Sequence, residues 1–216
     1  MAEAKFSGFN ADKVYQALSS IETAYGDLHG SIKNKLQDGF IVGMRDKWAC
    51  NEAQTFFRDI VKPQFEEIIR KVNENFTIID EGINEAARIW ALETRSDYTK
   101  RNLSMIVTKI DISMIQENIS GTRGIDKTEA LNLVSKLKEF EGESTSALTK
   151  AQNAIRGCGL LGGLQEDNLY NVLGKNKTII GDYITAITNA LDKAISTTVN
   201  AYGDTEGKIA QAFNIQ

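Results

Sequence analysis

The sequence predicts an all-α protein: two tandem long helical hairpins packed as an elongated four-helix bundle, with an irregular connecting segment. Three observations predict it. Apolar residues recur at steps of three and four through most of the chain, the spacing of one helix face. A single proline stands among 216 residues, where average usage gives about ten; scarcity of the main helix breaker favours long helices. The two halves also share one register, Leu133 lying 112 positions after Ile21 and Leu137 the same distance after Tyr25.

The first helix runs through Val14, Leu18, Ile21, Tyr25, Leu28, Ile32 and Leu36, with Asn10 as its N-cap. The pattern fades near Asp38-Gly39. Asn51-Glu52-Ala53-Gln54 reads as a capping box, with Asn51 as the cap. The short helix after it is expected to break at Lys62-Pro63, and Pro63 to open a new helix. That helix carries Phe65, Ile68, Val72, Phe76, Ile79, Ile83 and Trp90.

Residues 95–124 lose periodicity, and strand and helix fit equally; the segment reads as a connection or as an arm ordered by neighbouring molecules. Asp126-Lys127-Thr128-Glu129 then starts a helix through Leu133, Leu137, Phe140, Leu148 and Ile155. Glycines at 157–163 stop it. A short apolar segment is expected to end at Gly174, and Asn176 to cap a last helix reaching Phe213. The organisation is therefore hairpin 1–94, connection 95–124 and hairpin 125–216.

The constant shift also matches Trp48 with Leu160, Cys50 with Gly162, and the break at Lys62-Pro63 with Gly174-Lys175. One shift aligning two helices, a turn and a break reads as an internal repeat. Each hairpin leaves an apolar stripe that the other covers.

Composition narrows the function. With 25 basic and 29 acidic residues, net charge −4, there is no basic excess to neutralise phosphates, so no nucleic-acid partner is expected. No run approaches the ~20 apolar residues of a membrane span. The polar start, Met1-Ala2-Glu3-Ala4-Lys5, has no signal-peptide character. His29 is the lone histidine and has no nucleophile near it in sequence. Glu66-Glu67 and Glu139, Glu141 and Glu143 read as solvated faces, and the glycines at 157–163 lack a phosphate loop's Lys-Ser/Thr. Cys50 and Cys158 fit neither a disulfide framework nor a metal cluster. The chain is expected to be no enzyme and to have no catalytic, cofactor-binding or metal residues.

A long amphipathic helix, a Trp-x-Gly turn and a return helix ending in an aromatic resemble the WXG family of type VII secretion substrates. Here the first turn reads Trp48-Ala49-Cys50, with Cys in place of Gly. The second reads Leu160-Leu161-Gly162, similar to the related Leu-x-Gly variant. Tyr202-Gly203-Asp204-Thr205-Glu206 is similar to the family's Tyr-x-x-x-Asp/Glu export signal. The resemblance implies export from the cytoplasm without a signal peptide. It also implies protein partners, a secretion ATPase among them, and a signal formed by Trp48, Cys50, Leu160, Gly162, Tyr202 and Glu206. Trp48 reads alternatively as a ring closing the end of the core. From the residues alone a second function stays open: a self-assembling structural subunit of a larger particle such as a phage virion.

Overall fold

A computed structural model describes residues 9–117, 123–158 and 163–213. The protein is an all-α helical bundle, 80% helical with almost no strand. Helix α1 (Ala11–Ser31) continues as a π-helix over Ile32–Val42. Strand β1 (Trp48–Ala49) leads into α2 (Asn51–Phe56), a π turn (Phe57–Val61) and α3 (Lys62–Thr94). Strand β2 (Gly124–Ile125) precedes α4 (Lys127–Asn132), α5 (Val134–Gly157) and α6 (Gly163–Phe213).

Capping follows the sequence at two starts. Asn10 Oδ1 accepts the Lys13 amide at 3.0 Å, and Asp126 Oδ1 accepts the Glu129 amide at 3.0 Å. At α2 the cap is Cys50 rather than Asn51, because Asn51 is already helical.

The expected break at Lys62-Pro63 is absent. Ala53, Phe57, Val61 and Phe65 are all fully buried at steps of four. An ideal α-helix turns such a stripe by about 40° per step; the wider π turn over Phe57–Val61 returns it to the core. Pro63 sits in the first turn of the restored α-helix, where a missing N–H is tolerated. The same device explains the fading near Gly39. Leu28, Ile32, Leu36, Phe40 and Met44 are fully buried, again at steps of four, and the π segment Ile32–Val42 carries the helix past Asp38-Gly39.

The break expected at Gly174, with a cap at Asn176, is also replaced by helix. Leu173, Asn176, Ile180, Ile184, Ile187, Leu191 and Ile195 form one buried stripe of α6. Asn176 lies inside that stripe and accepts from Asn75 Nδ2 at 2.6 Å. A glycine in a helix costs about 1 kcal/mol, which a stripe of this length outweighs.

The helices contribute to two compact units that cross the sequence divisions. Unit one comprises residues 1–31, 68–108 and 142–180, and unit two residues 32–67, 109–141 and 181–216. In unit one, Lys150 pairs with Asp27 at 3.1 Å and Ser31 with Glu143 at 2.6 Å, so α1 and α5 run antiparallel. In unit two, Lys35 and Lys136 each reach Glu139 at 2.8 Å, which holds that carboxyl down at about 2. Gly43 meets Leu133 there, where a Cβ would stand 2.9 Å from Cδ2.

Residues 96–117 have no regular structure, yet they are tied to the helices by side-chain hydrogen bonds. In unit one they lie as a strap between α1 and α3, read by side chains of both helices. Tyr15 Oη donates to Thr99 O and accepts its N–H, both at 3.0 Å. Asn84 donates to Arg101 O at 2.9 Å and accepts its N–H at 3.1 Å. Arg101 reaches Glu22 at 2.7 Å. In unit two, Gln37 brackets the Asp111 amide and carbonyl in the same way, and Ile110 and Ile115 are buried. Backbone groups without a ladder are thus satisfied by helix side chains.

Candidate interaction site

The first hairpin's turn lies in unit two. Lys47 N–H closes on Met44 O at 3.0 Å. Trp48 and Ala49 then pair antiparallel with Ile125 and Gly124, and Asp126 N–H reaches Lys47 O at 2.7 Å. Cys50 is extended, with φ −168°, so the position needs no glycine.

The Trp48 ring is fully buried. It packs against Phe56 and Phe57 at centroid separations of 5.6 and 6.5 Å, in a cluster that continues to Phe40 and Phe65. Its Nε1–H lacks an acceptor but contributes to the field on the Cys50 thiol. Burial pushes that thiol up, against the opposing pull of the Ala53 amide and the indole. Cys50 is buried and not in a disulfide, and the same holds of Cys158 in unit one. The turn residues Trp48, Ala49 and Cys50 are therefore part of the buried core of unit two.

Tyr202 of α6 lies within electrostatic reach of this turn. Burial raises its hydroxyl, the charges of Cys50 and Glu52 add to the shift, and Arg123 opposes it. Tyr202 is only partly covered, and Asp204 beyond it is exposed. A cleft of about 530 Å³ opens in unit two, between Phe56 and Ile60 on one wall and Ala190 and Ala194 of α6 on the other. Glu52, Asp59 and Lys193 also line it. This is an amphipathic groove, apolar on its walls and carrying both acidic and basic side chains.

Of the residues expected to form the signal, Trp48 and Cys50 sit together in the turn, and Tyr202 lies within electrostatic reach of Cys50. Leu160 and Gly162 lie outside the described residues. Glu206 falls within α6, but its side chain is outside the described residues.

A second polar cluster, in unit one, escaped the sequence reading. His29 is buried. Its Nε2–H donates to Asn73 Oδ1 at 2.9 Å, and its Nδ1 meets Thr108 Oγ1 at 2.7 Å. Tyr25 Oη donates to the same Asn73 oxygen at 2.8 Å and accepts the Ile106 amide at 3.2 Å. Burial lowers the imidazole's pKa, opposed by the Asn73 bond. Next along, Asp80 accepts the Leu103 amide, with burial raising its carboxyl. Tyr98 donates to Asn84 at 2.7 Å and is pushed up to about 12, chiefly by burial. The signal was present as a stripe: Asn73, Thr77, Asp80 and Asn84 are spaced four, three and four on α3. A row of short polar side chains flanking an apolar seam marks a groove that reads backbone.

Among the described residues, no three His, Cys, Asp or Glu side chains cluster to hold a metal, and no helix is long and apolar enough to cross a membrane. The fold and site define an α-helical bundle bearing a surface groove. Comparison with family models, curated proteins and solved structures gives no match.

Proposed function

We propose that this chain is a non-enzymatic interaction protein of the type VII substrate kind, carrying two helical hairpins as a tandem repeat. The observation that supports it best is that Tyr202 lies within electrostatic reach of Cys50, in the Trp48-Ala49-Cys50 turn, and of Glu52 beside it. A two-part export signal needs an aromatic-acid tail beside the hairpin turn, and this chain would supply both parts itself. Trp48 and Cys50 shape the surface from beneath. Tyr202, and Glu206 one helical turn further, engage an export ATPase directly.

The test is secretion from a bacterium with a type VII system. Wild type should reach the medium, and Tyr202→Ala and Glu206→Ala should stay in the cell while folding normally by circular dichroism. Equal export of all three would overturn the reading.

One observation favours the second reading, a self-assembling structural subunit of a larger particle such as a virion. Ile78, Ile89 and Leu92 on α3 are 48%, 50% and 66% exposed, and apolar side chains on one helix face suit a neighbouring subunit. Recovery of the chain in purified particles, with none in the medium, would select that reading.

A further inference from the structure

The geometry points to a second copy of this chain as a partner, joined by reciprocal strap exchange about Arg95. Helix α3 stops at Thr94, and Arg95 turns the chain with φ 51°, the only positive φ outside glycine among the described residues. Ser96 N–H reaches back to Ala91 O at 2.9 Å and Arg95 N–H to Leu92 O at 3.3 Å. This is the closing pattern in which glycine normally occupies the left-handed position. An arginine there is held in a conformation that its Cβ disfavours.

Nothing in the local sequence requires the reversal. No glycine or proline stands between Arg95 and Glu117, so α3 can run on through residue 95 in ordinary helical conformation. The strap then cannot fold back over its own α1 and α3, but it can seat on those of another copy. The groove reads main chain at Thr99, Arg101 and Ile106. The strap runs on to the Gln37–Asp111 contact and to β2, so the chain after the hinge crosses with it, and each of these hydrogen bonds then forms equally well between two copies. Exchange relieves the left-handed residue at two hinges and brings two α3 ends together, where Ile89 and Leu92 are half or more exposed. A short hinge under strain is the condition under which copies swap elements.

The experiment uses the full chain, refolded from denaturant at low and high protein concentration, with mass read by sedimentation. One preparation carries Tyr15→Cys and the other Tyr98→Cys, positions whose rings stack at 5.4 Å. A mixture refolded together is treated with a short bis-maleimide. A dimer fraction that grows with concentration and contains the hybrid cross-link, joining position 15 of one copy to position 98 of the other, is expected. Arg95→Gly, which fits the left-handed turn without strain, should weaken that dimer at least about tenfold. Arg95→Val, whose branched side chain resists positive φ, should strengthen it. Should the valine variant fail to fold, the glycine variant alone decides. Monomer at every concentration, a dimer without the hybrid cross-link, or equal dimerisation of wild type and Arg95→Gly would each overturn the proposal.

Discussion

Ser31 Oγ donates to the Glu143 carboxylate at 2.6 Å, and the two residues stand 112 positions apart, the interval by which the sequence halves align. The bond lies on the antiparallel pairing of α1 with α5, one turn of α1 from the Lys150–Asp27 ion pair. Ser31 is buried, while Glu143 is exposed on the other helix. Ser31→Ala should lower stability by about 1 kcal/mol, measured by urea unfolding. A change within about 0.3 kcal/mol would mean the contact contributes little.

The imidazole of His29 should make stability fall in mild acid. Burial holds its folded pKa below the ordinary value, so the unfolded chain binds the proton more readily. The native state is then progressively destabilised as pH drops below about 6.5, by at most about 1.4 kcal/mol per pH unit. Asp80, shifted upward by burial, has the opposite sign and gives stability back as its carboxyl protonates at lower pH. His29→Gln keeps a donor for Asn73 and should flatten the profile between pH 7.5 and 5.5. An unchanged slope in that variant would show that another group titrates.

Asn84 should be the strongest single anchor of the strap. Its amide accepts from Tyr98 and from the Arg101 N–H and donates to the Arg101 carbonyl. Asn84→Ala should cost about 2–3 kcal/mol, and the Arg101 amide should lose its protection from hydrogen exchange while α5 keeps its own. Retained protection at Arg101 would mean that the strap is held by its apolar contacts.

The helices were legible because their apolar residues repeat, and the caps Asn10 and Asp126 because short polar side chains precede those repeats. What the sequence concealed came from three particular features. Steps of four at Leu28–Met44 and Ala53–Phe65 read as fading or breaking, because the α period drifts where a π turn does not. Gly174 and Asn176 read as a stop and a cap, although Leu173 and Ile180 on either side belong to one stripe. The strap carries no period at all, since its order comes from Asn84, Tyr15 and Tyr25 on helices distant in sequence. At the candidate site, Trp48 and Tyr202 stood out by their resemblance to a short motif, and Trp48's burial agrees with its reading as a ring closing the end of the core. Its particular cover was not legible, because it comes from Phe56 and Phe57, which periodicity assigns only to a core.

The pairing of the Trp48 turn with the Tyr202 tail carries the functional account, and photo-crosslinking measures it directly. With a benzophenone amino acid in place of Tyr202, irradiation of the folded full chain followed by peptide mapping reports what stands beside that position. Adducts at Cys50, Glu52 or Arg123 are expected. Adducts confined to other segments, or none within the chain, would contradict the pairing and remove the basis for a composite signal.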